Sequence, residues 1–364
     1  MKLKNFDRVD NLTLIQHLII RVCLTTNKEE REKIIRDWEE QVIINDLDFS
    51  SSRLIPIFFH GNQQYGTTTR YDKRLNVIYK HWWLRTQHIS HQLTRVHKAL
   101  FDAGIQVIVI KGASIKMHYK REELRPMADF DLLIHPADLK KAFQIIKSLG
   151  YLSNRLSEVY WEKNENIFLD FHHAISFKNQ NNDTQIDLHW RVGSRCSTQF
   201  TNQLWLHLED YKNVPNAHRP QLAYEVFMIL IHAVDSDSRD NLNWIIDIAV
   251  INEKADHSFW DEARKLAVDE KKEDLFDYAC SILIQLGIYA PAPKTFKKPR
   301  TLAITPPEYW QQMNYIKILQ IKIQNIRYTI NRLFPYSNAF IKLYQMTRLI
   351  HFYFIIRSFR YIKP

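Results

Sequence analysis

Glycine is scarce in this chain, with 7 in 364 residues against 9 Trp, 17 Tyr and 20 Phe. So few glycines imply a helix-rich body with few tight turns. Cysteine is scarcer still. Cys23, Cys196 and Cys280 are far apart and odd in number, which excludes a zinc-ligand spacing or a disulfide framework and points to a reducing compartment. No run approaches the roughly 18 uninterrupted apolar residues of a spanning helix. The first residues lack the continuous apolar segment of a signal peptide. The expectation is a cytoplasmic protein. Hydrophobic residues at 45% and charged residues at 25% fit a globular chain, long enough for two or three units.

The net charge of +10 is not spread evenly. From Lys294 onward the chain has 13 Lys or Arg and one acid, Glu308, a net of +12. Of the 50 bases and 40 acids in the whole chain, the remainder keeps 37 and 39, a net of −2. A near-neutral body speaks against a polynucleotide channel, which should itself be basic.

The centre of the sequence is Lys111–Ile134. Val107-Ile108-Val109-Ile110 reads as a short buried strand ending in a Lys111-Gly112 turn. Asp129-Phe130-Asp131 then leads into Leu132-Leu133-Ile134, a second buried strand. Side chains at i and i+2 share a strand face, so Asp129 and Asp131 project together. Two carboxylates side by side repel unless a cation lies between them or one is protonated, and a hard divalent metal is the natural solution.

These residues, with Arg125-Pro126-Met127 before the second strand and Ile186-Asp187-Leu188-His189-Trp190 later, resemble the nucleotidyltransferase superfamily with the polymerase-beta-like fold. In detail they look like an uncharacterised bacterial nucleotidyltransferase family found near surface-polysaccharide and peptide-modification genes. The clear match runs from about Val96 to Trp190, with a looser echo to about Val250. The resemblance implies an α+β fold, a mixed β-sheet with flanking helices, here with added N- and C-terminal helical regions. It implies a metal-dependent transfer of a nucleoside monophosphate from an NTP such as ATP to an unidentified acceptor, with two Mg²⁺ ions held by Asp129, Asp131 and Asp187. Lys111, Gly112, Ser114 and Arg125 would bind the nucleotide. Ala113 stands where the superfamily has a second Gly or a Ser, so phosphate would be held mainly by backbone N–H groups, with Lys111 or Ser114 assisting. Arg suits bidentate phosphate contact, and the bland alternative pairs Arg125 with Glu122 or Glu123.

Around this core, residues 1–84 read as a helical region, with helices over Leu12–Cys23 and Glu29–Val42. Ser50, Ser51 and Ser52 offer N-caps before Leu54–Phe59. The catalytic core is expected over 85–196, opened by a helix Lys80–Ala103 that Gly104 stops. It continues with strand Gln106–Ile110, helix Ala113–Tyr119, and a helix opened by Pro136 and ended by Gly150.

Two later segments compete to supply the third carboxylate, Ile167–Ile175 with Asp170 and Gln185–Val192 with Asp187. Apolar residues flank Asp187 on both sides, as in a central strand, and it is preferred. His189 shares the Asp187 face and would orient that carboxylate, touch the acceptor, or bond a backbone carbonyl as an ordinary core histidine. His172 and His173 face opposite sides of a strand, which speaks against zinc.

Residues 197–293 read as helical, an accessory or substrate region in which His232 and Asp247 would shape the acceptor pocket. A carboxylate such as Asp247 within an apolar helix needs a partner. Residues 294–364 form a basic, aromatic tail. Ile316, Leu319, Ile323, Ile326, Ile330 and Leu333 make an apolar helical seam, and Lys342, Arg348, Arg357, Arg360 and Lys363 share a broad face. Such a tail suits peripheral contact with an anionic membrane at its inner face, nucleic acid, or plain packing on the body. A contrasting reading of the whole is a nucleotide-binding or membrane-docked scaffold that keeps the fold without catalysis.

Overall fold

The computed structural model describes residues 12–153, 169, 172–193, 196–235 and 241–294. Asp170 and the expected features of the basic tail lie outside the described residues. Residues 12–152 and 173–294 belong to one compact unit.

The chain opens with helices α1 (Leu14–Leu24) and α2 (Lys28–Gln41), each started by a polar cap. Thr13 and Gln16 form a reciprocal capping box at α1, and the Asn27 side chain accepts from Glu30 N–H at α2. The three serines do not cap the next long helix. Asp48 caps a single turn, α3 (Phe49–Ser52), binding the Ser51 N–H at 2.9 Å and its hydroxyl at 2.6 Å. Helix α4 (Ile55–Tyr65) then begins without a side-chain cap but with Pro56 in its first turn.

Helix α5 (Asp72–Asp102) starts a full two turns before the expected Lys80, because Leu75 is fully buried and extends the apolar stripe backward. It ends where expected, at Gly104 with φ of 77°.

One seven-stranded sheet follows in spatial order β3-β4-β5-β2-β1-β7-β6. Strands β1 (Val107–Ile110) and β2 (Phe130–Ile134) pair antiparallel, and every residue of both is buried. Between them lie a five-residue helix, α6 (Lys111–Ile115), and a 3₁₀ turn over Lys116–His118. The expected helix Ala113–Tyr119 therefore starts earlier and is shorter, directly off the strand at Lys111, whose φ is 54°.

After β2, Pro136 opens a 3₁₀ turn that leads into α7 (Leu139–Ser148) and β3 (Tyr151–Ser153). The strand expected over Ile167–Ile175 falls partly outside the described residues, Leu169 within it is helical, and β4 covers Ala174–Asn179. Strand β5 (Gln185–His189) lies parallel to β2, with Asp131 opposite Asp187 and Leu133 opposite His189.

The region downstream is not wholly helical. After α8 (Thr198–Leu204), strands β6 (Leu208–Asp210) and β7 (His218–Pro220) extend the sheet beyond β1. At three residues each they are too short to show a period of two. Helices α9 (Leu222–Asp235), α10 (Asn243–Asn252), α11 (Phe259–Asp269) and α12 (Glu273–Gln285) complete the unit. A continuous apolar core runs from Trp38 and Phe58 of the N-terminal helices to Phe227 and Phe276 downstream. Burying each such side chain is worth roughly 1.5–3 kcal/mol. No described helix is long and apolar enough to cross a membrane.

A buried cation fastens the N-terminal helices. Arg31 on α2 is fully buried, and its guanidinium donates to the carbonyls of Val22 and Phe58, the side-chain oxygen of Asn62 and the Thr67 hydroxyl. Gly61 makes room for it, since a Cβ there would lie 2.6 Å from Arg31 Nη2. Gly61→Ala is expected to cost about 2–3 kcal/mol in urea unfolding, by overpacking and by pulling these bonds apart. A neutral result would show that Arg31 has room to move.

Candidate active site

The sheet brings three carboxylates to one place. Asp131 sits on β2, Asp187 is its neighbour across the parallel β2–β5 pairing, and Asp129 precedes β2. All three line a cleft of about 290 Å³, whose other walls include Arg53, Lys111, Gly112, Arg125, Glu225 and Asp247. Asp129, Asp131 and Asp187 therefore line one cleft, with Asp129 just ahead of the strand rather than on it.

Asp131 has the closest partners. Lys111 Nζ lies 2.6 Å from Asp131 Oδ1, and His189 Nε2 lies 3.0 Å from the same oxygen. Burial would push the Asp131 carboxyl up, but Lys111 and His189 outweigh it and hold the group well below the usual carboxylate range. Asp129 goes the other way. Burial and the nearby charges of Asp131 and Asp187 raise it to about 6, against the pull of Lys111 and Arg53. Thus two residues two positions apart in the same stretch hold opposite preferences for a proton.

His189 plays the ordinary core role and a site role together. Its Nδ1 lies 3.2 Å from the Arg191 carbonyl, and its Nε2 lies 3.0 Å from Asp131 Oδ1 and 3.4 Å from Lys111 Nζ. Of the carboxylates, the one it contacts is Asp131 rather than Asp187, and the backbone-carbonyl alternative is also met. Ligand atoms of Asp131, Asp187 and His189 all lie within 4.8 Å of one another. Two carboxylate oxygens and an imidazole nitrogen so placed form a chemically suitable donor set for a divalent cation.

The expected nucleotide-binding residues have different fates. Lys111 and Gly112 line the cleft. Ser114 does not, because it is fully buried and its hydroxyl donates to the Glu225 carboxylate. Arg125 lines the cleft but pairs with neither Glu122 nor Glu123. Its Nε and Nη2 donate to Asp247 at 2.8 and 2.9 Å, and Tyr119 Oη donates to the same carboxylate at 2.6 Å. This is the partner that Asp247 needed within its apolar helix. Gly112 lies against this guanidinium, 3.3 Å from Arg125 Nη1 to where a Cβ would stand. His232 also lines the cleft.

Two cleft residues escape the sequence reading. Glu225 on α9 is fully buried and accepts from Ser114, with His118 Nε2 at 2.7 Å. Its signal was available, since it is an acid inside an apolar helix, as Asp247 is. Arg53 gave no such signal, because it follows a one-turn helix with no periodicity to place it.

The raised Asp129 carboxyl has a consequence for stability. Its folded value of about 6 exceeds the unfolded 3.8, so the stability it contributes is full below about pH 4 and is lost as pH rises past about 6. In metal-free protein at pH 8, Asp129→Asn is expected to stabilise by at most about 3 kcal/mol, and by about half of that at pH 5. Thermal melting in chelator at both pH values measures this. Equal effects at the two would show that Asp129 carries no unfavourable charge.

No curated protein matches the chain. A family model described as "Uncharacterised nucleotidyltransferase" matches residues 49–286, which include every cleft residue named above and reach well beyond the expected Val96–Trp190. The span covers the sheet, the carboxylates and the helices that wall the cleft, and the chain belongs to this family of uncharacterised nucleotidyltransferases.

Proposed function

We propose that this protein catalyses metal-dependent nucleotidyl transfer from an NTP to a hydroxyl of an unidentified acceptor. The observation that carries the reading is the convergence of Asp129, Asp131 and Asp187 at one cleft, with His189 completing a set of oxygen and nitrogen donors. The family supplies the reaction class, while the metal, the nucleotide and the acceptor belong to the proposal.

Asp129, Asp131, Asp187 and His189 would hold Mg²⁺. When bound, the cation neutralises phosphate charge and acidifies the acceptor hydroxyl. The acceptor oxygen attacks the α-phosphorus, the bond from that phosphorus to the bridging oxygen breaks, and pyrophosphate leaves. Asp187 takes the hydroxyl proton, because its carboxylate has only the Gln185 amide, at 3.2 Å, as a described hydrogen-bond partner. His189 keeps Asp131 aimed through the Arg191 carbonyl. Arg125 shapes the turn at Gly112 instead of contacting phosphate, since Asp247 occupies two of its nitrogens.

One contact favours a second reading, a nucleotide-binding scaffold without catalysis. The Lys111 ammonium already neutralises Asp131 at 2.6 Å. A metal entering at that oxygen would have to displace it.

Calorimetric titration of each NTP in Mg²⁺ separates the readings. The catalytic reading expects Mg²⁺-dependent binding that weakens about tenfold or more in Asp129→Asn/Asp131→Asn, with the fold retained. Binding that ignores both Mg²⁺ and the double substitution favours the scaffold.

A further inference from the structure

The three strongest cations of the cleft are not equivalent. Lys111 is neutralised by Asp131, and Arg125 is clasped by Asp247. Arg53 lines the same cleft and forms no ion pair among the described residues. Its contacts are all neutral. Nη2 donates to the Pro126 carbonyl at 3.2 Å. Nε and Nη2 also reach the side-chain oxygen of Asn243, at 2.9 and 3.0 Å, in the amide orientation that these donors require. The Phe49 ring lies 5.7 Å from the guanidinium carbon. Nη1 is left without a protein partner among the described residues.

A guanidinium held on one edge by a carbonyl and an amide, in a residue that lines the cleft, is oriented but not neutralised. Burial, with Arg125 adding repulsion, pushes Arg53 down to about 10 against the pull of Asp129 and Asp247. The group that relieves this arrangement is an anion arriving from outside. The guanidinium fork matches a phosphate better than any other common anion except carboxylate, and Arg53 is electrostatically coupled to Asp129, at the acidic end of the cleft.

We propose that Arg53 is the oxyanion-binding residue of the cleft and receives the phosphate chain of the donor nucleotide, positioned by Asn243 and the Pro126 carbonyl. The identity of the anion rests on the nucleotidyl-transfer reading, whereas the site itself does not. The role that the resemblance gives to Arg125 falls instead to a residue contributed by the helices before the sheet.

The test titrates full-length protein with ATP, inorganic tripolyphosphate and adenosine in Mg²⁺, comparing wild type with Arg53→Gln and Arg53→Lys. Arg53→Gln is expected to weaken ATP and tripolyphosphate about tenfold or more and to leave adenosine unchanged, while Arg53→Lys recovers part of the loss. Arg53→Gln that is folded and binds tripolyphosphate as wild type does overturns the proposal. ATP binding that survives in that variant leaves the nucleotidyl-transfer reading standing and removes Arg53 from it. Arg53-dependent tripolyphosphate binding without any preference for an NTP supports the oxyanion site and defeats the nucleotide reading. If wild type binds neither ligand, both fall. Should Arg53→Gln not fold, phenylglyoxal modification of wild type decides. Tripolyphosphate is expected to protect Arg53, and its unprotected reaction overturns the assignment.

Discussion

The buried pair of Arg125 and Asp247 joins three parts of the site that are distant in sequence. Arg125 follows the turn after α6, Asp247 sits on α10, and Gly112 on α6 leaves the space in which the guanidinium lies. Both side chains are almost wholly removed from water, and Tyr119 adds a third donor to the carboxylate. Removing one member of such a pair typically costs about 3–5 kcal/mol, because the other charge stays buried without compensation. Both residues of the pair line the cleft.

The acidic end of the cleft is left unbalanced. Lys111 satisfies Asp131, but Asp129 and Asp187 have no ion pair among the described residues, and Asp129 is raised to about 6. A fold optimised for stability alone would not keep three carboxylates beside one ammonium. The imbalance is what makes the end attractive to a divalent cation, and Arg53, similarly unneutralised, makes the neighbouring wall attractive to phosphate. Opposite unmet charges within one cleft suit a ligand that is itself a metal–polyphosphate complex.

The legible parts of this protein are those set by local pattern. Short apolar runs bounded by Gly and Pro fixed β1 and β2, and Asp129, just ahead of β2, lines the same cleft as Asp131. The flanking apolar residues of Asp187 identified a central strand, which pairs with β2. Asp247 was legible as a carboxylate needing a partner, but the partner lies 122 residues away and no local rule names it. Ser114 is fully buried and its hydroxyl is taken by Glu225 on α9, a partner 111 residues away that no local pattern names. Strands β6 and β7 were missed because three residues carry no periodicity. Arg53 was missed because only packing decides where a side chain after a one-turn helix points.

The most direct measurement is Mn²⁺ titration of the purified protein, followed by electron paramagnetic resonance, in wild type and in Asp131→Asn/Asp187→Asn. Convergence of these side chains on a cation predicts saturable binding in wild type that is lost in the double variant. Saturable binding that persists unchanged in the variant, or none in wild type, would contradict a metal site at the β2–β5 carboxylates.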